Sequence, residues 1–421
     1  MRGDILPGTS RPAAVRPDAA RPVGLSVPLL LILAACSGFP PFAIDTYLPG
    51  FPQIADDLDT TAAQVQLTLT AFLLATAVGQ IVWGTLSDQV GRRPVLLGGI
   101  AVGVVASLTC ALTESIWLLL AARALQGLGT GAVMVVARAV VADLSTGASA
   151  ARAFSTLAAV QSVAPIAAPV MGGLLIGPFG WRAAFWMLFA MTVAMSVAIL
   201  AMIPETLPAE RRGGSGLRRI LFDGRHVLGD RGYVGAVVTV SASFATMFAY
   251  ISASPFVMQT IMGLSEYAYS AIFASTAAAL VTMIMVNRRL VLTVAPARLI
   301  VFGALGQAFG VAVLVVCVAF LDLPLPGMIL GFLAVQGSQG LLTGNCNAIG
   351  LMRAKPRTGT GSALMGGAQF GLAALVAPLV GIAGEHSAVP MVTLMSISVA
   401  FTFLGVALVR SAIRAQEPAP A

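Results

Sequence analysis

Charge is scarce in this chain: Asp, Glu, Lys and Arg make up 10% of its 421 residues, against 58% hydrophobic, and 23 of its 24 basic residues are arginine, the exception being Lys355. With a mean hydropathy of +0.92, the composition lies outside that of soluble domains. There are two histidines and four cysteines, and Cys36, Cys110, Cys317 and Cys346 all sit in apolar runs. That pattern excludes a disulfide framework and a Cys/His metal cluster. No nucleophile, metal or phosphate-loop spacing is present, so no enzyme activity, cofactor or metal is expected. The net charge of +7 belongs to membrane topology and not to a nucleic acid partner.

What the chain does have is apolar sequence of bilayer length. Twelve runs near the ~20 residues needed to cross a bilayer are expected at about 25–48, 64–83, 95–113, 117–138, 152–175, 183–203, 234–258, 269–287, 298–320, 327–351, 362–383 and 389–409. An even count puts both termini on one side. With that side inside, 22 of the 24 Arg and Lys residues fall in inner loops and tails, the exceptions being Arg123 and Arg182. Such a bias sets orientation, with both termini cytoplasmic. Trp83, Trp117, Trp181 and Trp186 lie near helix ends, where indoles favour the interface. Residues 1–23, rich in Arg, Pro and Ala, read as a disordered cytoplasmic tail. The run ending Leu33-Ala34-Ala35-Cys36 could also serve as a lipoprotein cleavage site, but apolar runs continue to the end of the chain. The polar, basic stretch 207–232 divides a first half (24–206) from a second (233–410), and 411–421 forms a second cytoplasmic tail.

Between the second and third runs lies Gly84-Thr-Leu-Ser-Asp88-Gln-Val-Gly91-Arg92-Arg93-Pro94, a basic turn in an apolar neighbourhood. A worn counterpart, Asn287-Arg288-Arg289-Leu290, follows the eighth run. Two charges lie inside the apolar runs themselves. Asp45 is in the outer part of the first, where Ser37, Gly38 and Pro41 share its helical face and leave room for a cavity. A carboxylate at membrane depth must be paired, hydrated or protonated, the condition under which it can load and release protons. The alternative is an Asp45 solvated at the outer interface. Arg123 lies in the fourth run and cannot deprotonate, so it needs an anion, carbonyls or water; a movable Asp45–Arg123 pair would form a proton switch. Its alternative is a snorkelling arginine. Gly127, Gly129 and Gly131 suit tight helix packing.

Ordered motifs run the length of the chain. They are Ile44-Asp45-Thr-Tyr47-Leu48-Pro49, Gln66-Leu-Thr68, Gly84–Pro94, Arg123-x-x-Gln126-Gly127, Ala137-Arg138-Ala139-x-x-x-Asp143, Ala164-Pro165-x-x-Ala168-Pro169-x-x-Gly172-Gly173, Trp181-Arg182-x-x-Phe185-Trp186, Pro204-Glu205-Thr206-Leu207-Pro208 and Ala253-Ser254-Pro255-Phe256-Val257. With these, residues 25–410 resemble the Bcr/CflA subfamily of drug-resistance exporters in the major facilitator superfamily. The resemblance implies an all-α membrane protein with the major facilitator fold, twelve transmembrane helices in two six-helix halves. It implies proton-coupled export of small amphipathic compounds across the bacterial inner membrane by alternating access, by an expected monomer. An exporter or facilitator of a sugar or other endogenous metabolite is the same-fold alternative.

The resemblance assigns proton coupling to the Arg123 motif, and the depth of Asp45 in its apolar run makes that carboxyl the expected proton carrier. The resemblance also assigns an inner gate to Gly84, Asp88, Gly91, Arg92 and Arg93, with Asp143 and Glu205 as ionic partners, and a helix 5 hinge to Pro165, Pro169, Gly172 and Gly173. Polar groups at membrane depth are the candidates for substrate contact: Tyr47, Gln126, Gln161, Tyr250, Ser254, Gln336, Asn345 and Asn347. The chain departs from the pattern at Ser37, where some relatives carry a second acid, and at Ala164 and Ala168, where glycine is preferred. Glu266, Asp322 and Glu385 all map to outer loops, so coupling would rest on Asp45.

Overall fold

Hydrocarbon offers a backbone no hydrogen-bond partner, so a chain this apolar can cross it only as helices or a closed barrel. The computed structural model, which describes residues 25–213, 224–355 and 357–414, is built from helices. Twelve are long and apolar enough to span: α1 (Val27–Asp45), α2 (Ala62–Val90), α3 (Arg92–Leu112), α4 (Ile116–Leu144), α5 (Gly147–Phe179), α6 (Arg182–Met202), α7 (Arg231–Pro255), α8 (Glu266–Leu290), α9 (Pro296–Phe320), α10 (Leu325–Arg353), α11 (Thr358–Leu379) and α12 (Val389–Arg414). A short helix, Phe51–Asp57, follows α1. The expected tail 1–23, linker residues 214–223 and the terminal 415–421 lie outside the described residues.

Helix ends follow local capping chemistry. Thr61 accepts from the Gln64 backbone N–H while the Gln64 side chain bonds back to the Thr61 N–H, a capping box that starts α2. Asp230 caps α7 through the Tyr233 N–H at 2.7 Å. The expected turn at 84–94 is shorter than its sequence suggests: α2 continues through Asp88 to Val90, and the chain reverses at Gly91 alone. Gly91 has φ 111°, a conformation that glycine adopts without a Cβ penalty.

Helices α1–α6 pack into one bundle and α7–α12 into another, and the two meet chiefly where α5 lies along α8 and α2 along α11. Close approach within the first bundle depends on α4. A Cβ at Gly131 would stand 2.7 Å from the Thr76 carbonyl oxygen of α2, and one at Gly129 would stand 2.9 Å from the Gly103 nitrogen of α3. The alternation at 127, 129 and 131 therefore serves two neighbours.

One end of the molecule is basic, carrying Arg92–Arg93 and Arg288–Arg289, and the other is acidic, carrying Asp56, Asp57, Asp59, Glu266, Asp322 and Glu385. At the acidic end Trp181 and Arg182 clamp the first bundle. Both donate to Asp57 Oδ2, at 2.9 and 2.8 Å, and Arg182 also donates to the Thr113 carbonyl at 3.0 Å. Trp181, expected at the lipid interface, is instead buried because its indole N–H has this partner; Trp117 and Trp186 are exposed. Replacing Gly131 with Val should lower the thermal midpoint of the purified protein, since overpacking against fixed backbone costs about 1–3 kcal/mol. Gly98→Ala, at a site with nothing within 4 Å, should leave the midpoint unchanged in the same melt.

Candidate functional site

A cavity of about 240 Å³ lies between the bundles. Its wall is largely apolar, with aromatic and thioether side chains (Phe72, Phe244, Phe248, Phe273, Phe370, Met134 and Met247) beside aliphatic ones, and Pro40, Pro41 and Pro165 adding non-donor surface. The polar lining is small: Ser37, Asp45, Thr76, Gln161 and Gln336. Asp45, the last residue of α1, is 5% exposed. It forms no hydrogen bond or ion pair with any described residue, and it is the acid on this wall. Gln161 donates to the Ser37 carbonyl at 3.1 Å, so its amide is oriented by α1. Gln336 is buried on the opposite wall, and its Oε1 has no partner.

Arg123 is fully buried one layer behind that wall. Its guanidinium carbon lies 4.4 Å from the Tyr47 ring centroid and 4.3 Å from that of Phe72, positions at which a ring face attracts a cation. Nη1 donates to Gln126 Oε1, and Gln126 Nε2 donates to Ser107 at 2.8 Å. Nε and Nη2 have no partner. Asp45 and Arg123 are therefore not paired here; aromatic faces and one amide hold the cation instead of a carboxylate.

Several polar candidates stand elsewhere. The Tyr47 hydroxyl pairs with Thr68, Tyr250 with Thr276 at 3.0 Å, and Ser254 with Tyr269 at 3.2 Å. Asn345 donates to Asn287 Oδ1 at 2.8 Å, which joins α10 to the last turn of α8, where the worn counterpart Asn287–Leu290 is helical. None of Tyr47, Gln126, Tyr250, Ser254, Asn345 and Asn347 lines the cavity. In this state five of the six spend their polar groups bridging helices or holding Arg123, and Asn347, with no such bond, also lies off the cavity wall. Conversely, the five phenylalanines on the wall carry no sequence signal that separates them from lipid-facing ones.

Toward the basic end the bundles part around a vestibule of about 660 Å³, lined by Gly84 and Asp88 of α2, Arg138 of α4 and Arg357, Thr360 and Gly367 flanking or within α11. Phe370 lines both spaces. Hydrogen bonds that join the bundles gather toward the acidic end: Gln53 to Glu266 (2.9 Å), Gln66 to the Ser252 carbonyl (3.0 Å), Thr70 to the Ala374 carbonyl (2.9 Å) and Gln259 to the Pro49 carbonyl (3.0 Å). The molecule is thus closed at the acidic end and open at the basic end.

The Gly84–Pro94 segment builds an ionic cluster beside the vestibule. Arg92 donates to Asp88 at 2.6 Å and to Asp143 at 3.1 Å. Glu205 accepts the backbone N–H groups of Arg92 (2.9 Å), Arg93 (3.3 Å) and Leu207 (2.9 Å), and Arg93 reaches the Leu200 carbonyl. Asp143 and Glu205 are the expected partners, but every member belongs to the first bundle or, like Arg212, follows α6. In this state the cluster ties the first bundle's own helices, not the two bundles to each other.

Partial burial raises the Glu205 pKa, but the Leu207, Arg92 and Arg93 N–H groups and the Arg212 charge outweigh it and hold the carboxyl below its ordinary value. A depressed native pKa gives stability that is complete above the unfolded-state value and is lost as pH falls through the native one. Proteolysis of the loop after α6 should therefore be insensitive to pH near neutrality and accelerate only below the ordinary carboxylate range. In Glu205→Gln the loop should be cut faster at neutral pH, and the acid step should shrink.

The sequence pattern of the Major Facilitator Superfamily matches residues 30–378. The chain is 34% identical over 376 residues to the MFS-type transporter YdgK of Bacillus subtilis, covering 89% of this chain and 92% of the relative. It is 30% identical over 375 residues to the bicyclomycin resistance protein homolog of Haemophilus influenzae, covering 89% and 94%. With the multidrug resistance protein MdtL of Escherichia coli it shares 33% over 243 residues, 58% of this chain and 61% of that one. Among solved structures, an inward-facing, unoccupied bacterial homolog of the human lysosomal transporter Spinster superposes with a TM-score of 0.72 at 17% identity, over 94% of this chain and 98% of the other. That likeness speaks to the fold alone. The relatedness extends through both bundles, and the chain belongs to the Major Facilitator Superfamily: it is a multi-pass membrane transporter, not an enzyme.

Proposed function

We propose that this protein exports small amphipathic compounds, drugs or antibiotics among them, across the bacterial inner membrane in exchange for protons, as in the Bcr/CflA subfamily it resembles. The carrying observation is Asp45, an unpaired acid on the wall of an otherwise apolar and aromatic cavity. A carboxyl in that setting is stable when protonated, hydrated or bonded to a partner, and the hydrogen-donating polar end of an amphipathic substrate can be that partner only once the proton has left. Proton and substrate therefore compete for one site, the requirement for exchange. Relatives named for bicyclomycin and multidrug resistance support the drug-efflux part.

The wall chemistry suits broad recognition. Phe and Met surfaces adapt to many apolar shapes, while the Gln161 and Gln336 amides offer fixed polar ends on opposite walls. Arg123 does not take the carboxyl as its partner, because the Tyr47 and Phe72 rings and the Gln126 amide take that part. By charge bias the basic end faces the cytoplasm and both termini lie there, so the present state opens inward, where substrate enters and the proton leaves.

For the opposite state, the vestibule would close between α2 and α11. Asp88 lines it together with the first turn of α11, whose free N–H groups and dipole favour an anion. Asp88 thereby serves as an inner gate, with Arg92 and Asp143 setting its position.

In inverted vesicles, Asp45→Asn should abolish bicyclomycin-dependent proton movement while expression stays normal; unchanged coupling removes Asp45 from the mechanism. Asp88→Asn should slow turnover without loss of binding, and a normal rate would count against the gate. Gln336→Ala should raise the KM for a transported drug about five-fold, the effect of one neutral hydrogen bond, with little change in the proton-to-drug ratio.

A further inference from the structure

Hydroxyls inside spanning helices here usually bond back to a carbonyl one turn earlier. Ser107 bonds Gly103, Thr130 bonds Gln126, and Thr246 bonds Ala242 in this way. Four buried hydroxyls depart from that rule, those of Ser37, Thr46, Ser241 and Ser270, and two of them meet at one junction. Thr46 Oγ1 and Ser270 Oγ have no hydrogen-bond partner, and their residues are 0% and 3% exposed.

The two sit on either side of the same glycine pair in α5. A Cβ at Gly172 would overlap the carbonyl oxygen of Thr46, the residue after Asp45. A Cβ at Gly173 would overlap Ser270 Oγ and stand 2.8 Å from Ser270 Cβ, across the junction between the bundles on α8. Gly177 approaches the Tyr267 hydroxyl oxygen in the same way, to 2.8 Å from an added Cβ. Gly173 thus lets the bundles close tightly enough at the acidic end to strip water from the Ser270 hydroxyl, while Gly172 lets α5 pack onto Thr46 within the first bundle, and in this closed state neither hydroxyl is satisfied.

An unsatisfied buried hydroxyl is unfavourable until water returns to it. Closure at the acidic end therefore carries a fixed penalty, and opening relieves it. We propose that Ser270 and Thr46 are positioning residues that set the balance between the two access states, with Gly172 and Gly173 as the contact that makes their desolvation complete. The penalty keeps the closed state from becoming a trap, so that a change of charge or occupancy at Asp45, one residue from Thr46, is enough to tip it. This inference rests on the alternating-access reading.

The test uses the full-length protein in lipid nanodiscs, with spin labels at positions 114 and 321, exposed at the acidic end of opposite bundles, and distances read by pulsed electron resonance with and without bicyclomycin. Ser270→Ala should shift the populations about ten-fold toward the short distance, in line with relief of one unsatisfied group, without lowering the thermal midpoint. Thr46→Val should shift them the same way. Gly173→Ala should shift them toward the long distance, and adding Ser270→Gly to it should restore the wild-type distribution. Two wild-type populations unmoved by Ser270→Ala and Thr46→Val, or moved toward the long distance, overturn this inference alone. A single distance in the wild type under every condition overturns the alternating-access reading, and this inference with it.

Discussion

A hydrocarbon bilayer gives a buried charge nothing to bond to, and in this protein that constraint falls on two residues of the first bundle. Arg123 meets it with ring faces and an amide. Asp45 is left without a partner on a cavity wall. The difference between those two solutions organises the rest. A cation held by ring faces becomes part of the scaffold, whereas a carboxyl with no such hold remains free to take a proton, water or a ligand. The proposed exchange of drug for proton is a direct reading of that freedom.

The same physics separates the two ends of the molecule. Toward the acidic end the bundles are joined by amide and hydroxyl hydrogen bonds, several onto backbone carbonyls, and by glycine contacts between α5 and α8. Beside the vestibule at the basic end, the strong interactions are ionic and stay within the first bundle. Neutral hydrogen bonds and packing respond little to salt, while exposed ionic contacts are screened. The two gates are therefore built from different interactions, although both are reached from the segments that flank Asp45 and Asp88.

Much of the fold could be read from the residues. Twelve apolar runs, the glycine at 91 and the charge bias are strong signals because a bilayer enforces them. Asp45, Gln161 and Gln336 stand out because polar groups in apolar runs are few, and the Arg92–Asp143 contact joins two of the charged motifs. Side-chain partners are harder to read. Tyr250, Ser254 and Asn345 are as conspicuous in sequence as Gln336, yet each finds a partner on a neighbouring helix, Thr276, Tyr269 and Asn287. Helical periodicity shows which residues share a face, not which face the neighbour occupies. The aromatic wall was missed for the opposite reason: Phe244 or Phe370 in a spanning helix is unremarkable until its position is known. The ring faces that hold Arg123 were invisible because a cation's expected partner is an anion.

The central claim is that proton and substrate compete for Asp45. It is tested most directly by proton release on binding, measured with a pH indicator in unbuffered detergent solution, where no gradient or transport step intervenes. Addition of a bound substrate to the wild-type protein should release protons in proportion to occupancy, and Asp45→Asn should still bind the compound but release none. Binding without proton release in the wild type, or equal release from the variant, would contradict the account.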